Sequence, residues 1–345
     1  MVSERGLQVL RAIVQDYVET HEPVGSRSIV ERHAFGVSAA TIRNDMAQLE
    51  DEDLIIAPHT SSGRVPTDKG YRVFVNHLAQ LRPLSAAQRT AIESFLVAPS
   101  DLDDLMARTV RVLTQLTGQV ALAQYPSFAR AMITHIELVA LAPNRVLVIL
   151  VTDAGGISQR VAQLPIDIDD EDIAVLRARL SAVIAGRPVS DASDRVSDLS
   201  NIDPAAARTQ PALQVLAGVI AEELGEFRQD RLVMAGAATL ARREQDFRGS
   251  IHPLLEAIEE QVTLLRLMSE MVTDEHGLAA SIGAENAPFG LGEASIVASN
   301  YAAPGGTARV GVMGPTRMDY PTNLAAARAV ARYLSRLLEE DDTGR

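Results

Sequence analysis

The stretch that most narrows the possible folds is Ser38-Ala-Ala-Thr-Ile-Arg-Asn-Asp-Met-Ala-Gln-Leu-Glu50, taken with its flanks. Ala39, Ile42, Met46 and Leu49 recur at helical spacing and fall on one side of a 3.6-residue wheel. Ser38 is placed to cap this helix, which is expected to reach about Glu52. Upstream, residues 27–33 form a short helix with Ser26 as its expected cap, and Ala34-Phe-Gly-Val37 makes a tight turn. A longer helix over residues 3–20, capped by Ser3, carries Leu7, Leu10, Val14, Tyr17 and Val18 as a core-facing stripe. A short helix, a glycine-bearing turn and a second amphipathic helix make the helix-turn-helix pattern.

The polar side of the second helix holds Ala40, Thr41, Asn44 and Gln48, small at its start and then amide-rich. Asn and Gln pair bidentately with adenine edges, and small residues let a helix approach a groove. Arg43 lies on the flank, within reach of a guanine or a phosphate. Glu50-Asp-Glu-Asp53 opposes the negative end of the helix dipole, at roughly 0.3–1 kcal/mol per exposed acid, and would repel DNA. If the helix enters a groove, its N-terminal half goes in and its acidic end stays out. An ordinary solvated helix end would read the same way, so the flanking segments decide.

Those segments favour DNA. Residues 54–57 read as a strand, 58–63 as a polar turn, and Arg64-Val65 as a return strand that Pro66 ends, which makes a hairpin wing. Thr60, Ser61 and Ser62 at its tip suit phosphate oxygens, and Arg64 suits a minor groove. Thr67 caps a further helix to about residue 81, with Lys69 and Arg72 in its first turns, where a helix N-terminus also favours phosphate.

Charge limits this reading. The chain of 345 residues has a net charge of −13, which argues against a general polyanion binder. Its first 80 residues hold 8 basic and 11 acidic side chains, so basic groups must act by local placement, as they do over residues 55–76. Cysteine is absent, which excludes disulfides and thiolate chemistry. There is no charged-then-apolar leader and no run of about 18 apolar residues, so a cytoplasmic location without membrane contact is expected.

Beyond a linker at Pro83 and Ser85, helical patterns cover residues 85–96 and 101–116. Strands are expected at 133–141, 145–151 and 157–164, then helices at 167–185, 204–227 and 230–242, with a polar loop over 186–204. One long amphipathic helix is expected at 252–272, strands at 277–283, 295–301 and 307–313, and a last helix at 323–339. Strands on both sides of a helical block are expected to complete one antiparallel sheet.

Residues 39–46 and Pro58-His-Thr-Ser-Ser-Gly-Arg-Val-Pro-Thr-Asp-Lys-Gly-Tyr-Arg72 closely resemble the winged-helix signature of the HrcA family of heat-inducible transcription repressors. Ile282-Gly-Ala-Glu-Asn286 and Gly311-Val-Met-Gly-Pro-Thr-Arg-Met-Asp-Tyr320 resemble the same family, so the likeness is nearly full-length. Two departures are Asp53, where the family usually has Gly, and Ser62 in place of a usual Ala. The resemblance implies an α+β multidomain chain: a winged helix-turn-helix (1–82), a helical linker (83–117), a GAF-like antiparallel-sheet sensor domain (118–165 and 250–345), and an inserted dimerisation segment (166–249). It also implies a homodimer that represses chaperone operons through an inverted-repeat operator on double-stranded DNA, is kept active by a GroEL-type chaperonin, and is inactivated by heat.

Other chemistry is thin. The seven His residues show no i, i+3 or i+4 pair, so no metal site is expected. His135 and Glu137 share a strand face as a structural pair. The glycines at 305, 306, 311 and 314 fit neither a Walker loop nor a dinucleotide turn. The Asp167–Asp172 acids suit a helix N-terminus. Neither an enzyme nor a cofactor is expected. The alternative function is a metabolite-responsive winged-helix regulator whose sheet domain binds a small molecule.

Overall fold

The computed structural model describes every residue except 1, 60, 61, 79–83, 98, 128–130, 154, 198–207, 229, 230, 243, 248–250, 304, 305, 344 and 345. The chain divides into two compact units. One comprises Met1–Ala123, Leu232–Asn300 and Arg309–Arg332; the other comprises Gln124–Arg231, Tyr301–Ala308 and Tyr333–Arg345.

The first unit opens with α1 (Glu4–Thr20), α2 (Ser26–Arg32) and α3 (Ala39–Asp51). Ser3 and Ser38 cap α1 and α3 by accepting the amides of Gly6 and Thr41. Ser26 does not cap α2; it lies inside the helix, and Gly25 holds the cap position. Val24 is bridged antiparallel to Arg64, which keeps the chain extended up to Gly25. The strands β1 (Ile55–Ile56) and β2 (Val65–Pro66) then pair antiparallel. Capped by Thr67, α4 (Asp68–Asn76) ends earlier than expected, at His77, whose ring bonds back to the Val73 carbonyl. Val9, Leu10, Ile13, Ile29, Ile42, Leu49, Ile55, Tyr71 and Phe74 form the buried interior.

The helices α5 (Ala86–Leu96) and α6 (Leu102–Thr117) lead to β3 (Val120–Gln124). In the second unit, β4 (Ile133–Ala142), β5 (Arg145–Thr152) and β6 (Ile157–Gln163) form a three-stranded antiparallel sheet. The helices α7 (Asp170–Ile184), α8 (Val189–Ser197) and α9 (Gln210–Arg228) join its buried side in one core. The first unit resumes with β7 (Leu232–Ala235), α10 (Ala237–Arg242), α11 (His252–Glu260), α12 (Val262–Glu270) and β8 (Leu278–Ile282). A 3-10 helix (Gly283–Phe289), β9 (Ala294–Ala303), β10 (Gly306–Pro315) and α13 (Tyr320–Thr343) follow.

The expected single sheet is two sheets. A five-stranded sheet has the order β7-β3-β10-β9-β8, and β4-β5-β6 pair only with one another, as a three-stranded sheet. One strand that the sequence reading lacks is β3. It pairs antiparallel with β10, Val120 opposite Met313 and Ala123 opposite Val310, and so takes the place that the later strands were expected to fill. Residues 230–242 hold β7 as well as a helix. The loop expected after residue 186 contains α8, because Val189, Ala192 and Val196 fall at helical spacing and are fully buried. The long helix at 252–272 breaks at Gln261, which adopts φ 55°.

Candidate nucleic-acid interface

The inner side of α3 sets its orientation. Ile42, Met46 and Leu49 are buried, and between them lies Asp45, only 2% exposed. Arg5 of α1 donates to both carboxylate oxygens of Asp45, Nε at 2.8 Å and Nη2 at 3.0 Å. This bidentate pair fixes α3 about its own axis as well as against α1. The sequence reading missed both residues, although a signal was present: Asp45 lies three residues after Ile42 and four before Leu49, on the apolar side of the wheel.

The outer side of α3 presents Ala40, Arg43, Asn44, Ala47 and Gln48, all exposed. Arg43, Asn44 and Gln48 have no hydrogen-bond or ion-pair partner among the described residues. Ser38 and Thr41 are used at the helix start: Ser38 Oγ accepts the Thr41 amide at 3.2 Å and lies 3.0 Å from Thr41 Oγ1. The face is therefore a ridge of one cation and two amides between alanines, free to pair outward.

The acidic end of α3 is held from the side of α4 and the wing. Lys69 Nζ donates to the Glu52 carbonyl at 2.7 Å, and Thr67 Oγ1 donates to the Asp53 carbonyl at 2.6 Å. Both bonds satisfy carbonyls at the negative helix end. Asp53 has φ 57°, the left-handed turn expected where the family carries Gly. Arg64 places Nε and Nη2 each 2.9 Å from Glu50 Oε2, and Nη1 donates to the Ser62 carbonyl at 3.2 Å. It thus offsets one acid of the helix end and is brought beside α3. Ser62 Oγ donates to the His59 carbonyl and accepts the His59 amide, closing the wing turn. Thr60 and Ser61 lie outside the described residues.

Arg72 is not brought to this face. Its Nε donates to Glu285 Oε1 at 2.6 Å, and its Nη2 donates to the Ala280 carbonyl at 2.7 Å. Local pattern did not reveal that Glu285 would pair with Arg72 or Glu50 with Arg64. Among the described residues, no helix is long and apolar enough to cross a membrane.

Relatives align with the chain from end to end. It is 62% identical over 342 residues to the heat-inducible transcription repressor HrcA of Clavibacter michiganensis subsp. michiganensis, covering 99% of this chain and 100% of that one. It is 60% identical over 339 residues to the heat-inducible transcription repressor HrcA of Leifsonia xyli subsp. xyli, covering 98% and 99%. A crystal structure of a hypothetical protein at 2.2 Å resolution shares the fold, with a TM-score of 0.65 and 24% identity over 99% of both chains. The class so defined is a transcription repressor of mixed helix and sheet. The family model for the HrcA protein C terminal domain matches residues 103–323, and the chain belongs to the HrcA family of heat-inducible transcription repressors.

Proposed function

We propose that residues 1–82 act as a winged helix-turn-helix, with α2 and α3 as its helix pair and the β1–β2 hairpin as its wing. The observation that carries this reading is the outer face of α3: Arg43, Asn44 and Gln48 exposed and unpartnered among the described residues, on a helix clamped from behind by Arg5 and Asp45. Thr41, Asn44 and Gln48 read bases, with Ser38 setting the helix start and Arg43 reaching a guanine or phosphate. The wing residues Thr60, Ser61, Ser62 and Arg64 meet the backbone or a minor groove, and Lys69 adds charge nearby. The first unit beyond the 83–117 linker serves as a GAF-like sensor domain, and the second unit, which holds most of the inserted segment together with β4–β6, carries dimerisation.

In this reading a homodimer sets two α3 helices into successive major grooves of an inverted-repeat operator before chaperone operons, in the cytoplasm. Heat lowers the folded population and so the repression, and a GroEL-type chaperonin restores that population. The family membership supports this regulatory part. A footprint of the purified chain on chaperone promoters tests the DNA reading: protection of an inverted repeat is expected, and none at any such promoter overturns it. Operator binding measured against temperature, with and without chaperonin, tests the thermal part; equal binding throughout overturns it.

A further inference from the structure

The two segments at opposite ends of the chain, 58–72 and 282–286, meet inside the first unit. Asp68 Oδ2 accepts the Ala284 amide at 2.8 Å. Arg72 grips Glu285 and also donates to the Ala280 carbonyl. Gly283 has φ 50°, a left-handed backbone that glycine adopts at least cost, and a Cβ there would displace the Asp68 carboxylate. The buried rings of Tyr71 and Tyr320 lie 5.6 Å apart. A second point of contact lies at the end of α1, where His21 Nδ1 is 3.9 Å from Asp246, itself held by Arg317.

The opposite side of the same α4 turn holds the reading helix. Lys69 and Thr67 bond the carbonyls that end α3, and a Cβ on Gly70 would overlap the Leu54 carbonyl oxygen. Within six consecutive residues, 67, 69 and 70 face α3 and its exit, while 68 and 72 face residues 280–285. None of these contacts covers Ala40, Arg43, Asn44 or Gln48, which stay exposed.

We propose that the N-terminal half of α4 is a joint that fixes the direction of α3 relative to the five-stranded sheet, with Asp68, Arg72, Gly283 and Glu285 as positioning residues. This rests on the DNA-reading role proposed for α3. The contact blocks nothing; it removes rotational freedom. For two copies that must engage one duplex together, that freedom decides the effective concentration of the second helix once the first has bound. A loose joint weakens binding to two half-sites and leaves binding to one half-site intact.

The test compares the full-length wild type with Glu285→Arg, Arg72→Glu and the double exchange. Each is titrated onto a duplex with both halves of the footprinted sequence and onto a duplex with one half. Glu285→Arg is expected to lose about tenfold on the two-half duplex and under about twofold on the single half. The double exchange is expected to recover most of that loss. Equal loss on both duplexes, no loss on either, or failure of the exchange to restore binding overturns the proposal. Hydrogen exchange at the Ala284 amide reads the joint without DNA. Faster exchange in Asp68→Ala is expected, and unchanged exchange overturns the joint. Accelerated exchange in a chain that binds no inverted repeat overturns the DNA reading alone.

Discussion

Arg5 closes on Asp45 through two hydrogen bonds of 2.8 and 3.0 Å, joining a side chain that is 46% exposed to a carboxylate that is 2% exposed. The pair is asymmetric: Arg5 keeps water on one side, whereas Asp45 has no such recourse. Arg5→Ala is therefore expected to destabilise the fold, because it strands a buried charge. A lower urea midpoint with an unchanged slope checks this; an unchanged midpoint would show that water replaces the guanidinium.

The reading face and the helix end should respond in opposite directions. Asn44→Ala is expected to cost about 1–3 kcal/mol on the operator and to relax preference at one base pair. Glu50→Gln removes an acid near the duplex and releases Arg64 from its 2.9 Å pair. It is expected to tighten binding to every sequence and to steepen the salt dependence. Titrations at several salt concentrations separate the two, and a sequence-selective effect of Glu50→Gln would contradict this placement.

What could be read from the sequence was local. The caps Ser3, Ser38 and Thr67 and the hairpin around Gly63 are written in neighbouring residues, and the structure has them. Of the stripe read on α1, Leu10 and Val14 are buried while Leu7, Tyr17 and Val18 are half-buried, because Val9 and Ile13 turn the helix's core side toward themselves. Long-range events were not legible. Arg72 looked like a phosphate ligand because its partner lies 213 residues away. The strand β3 is short and alternates Val or Leu with Ala, all buried, so no polar alternation marks it. Gln261 breaks a helix with neither Gly nor Pro at the break itself to announce it. Asp45 was visible as an acid on an apolar face, but its meaning required Arg5, forty residues earlier.

Asp53 offers a stabilising change. Its φ of 57° places an L-residue in the left-handed region, while its amide bonds the Glu50 carbonyl at 3.0 Å and so holds the turn. Asp53→Gly is expected to stabilise the chain by about 0.5–1 kcal/mol, because the relief of strain exceeds the added freedom of the unfolded state. A rise in the melting midpoint checks this.

Acid should weaken the second unit through Glu137. Its carboxyl is held below the usual range chiefly by the hydrogen bond from Arg177, with smaller help from the Leu138 amide and His135. A depressed folded-state value means that the stabilisation is present above the ordinary carboxylate range and is lost as pH falls through the folded value. Glu137→Gln is expected to lower stability at neutral pH and to flatten its fall below about pH 4. Parallel curves for the two proteins across that window would contradict the pairing.

The three-stranded sheet carries the last expectation. Ile136, Leu138, Val146, Val148, Leu150 and Ala162 point into the core shared with α7, α8 and α9. The alternate residues point the other way, and there Val139, Leu147 and Val161 stand side by side across the strands, with Val151 opposite Ile157. Val139, Ile157 and Val161 are 40, 56 and 44% exposed. A contiguous apolar sheet face of this kind marks an interaction surface, and the proposed homodimer supplies an occupant of matching chemistry. Val161→Lys is expected to yield folded monomers by sedimentation, since the side chain lies outside the core, with a melting transition that no longer depends on protein concentration. Operator affinity should then fall with half-site affinity retained, because only the pairing of two reading helices is lost. A variant that remains dimeric would move the interface elsewhere.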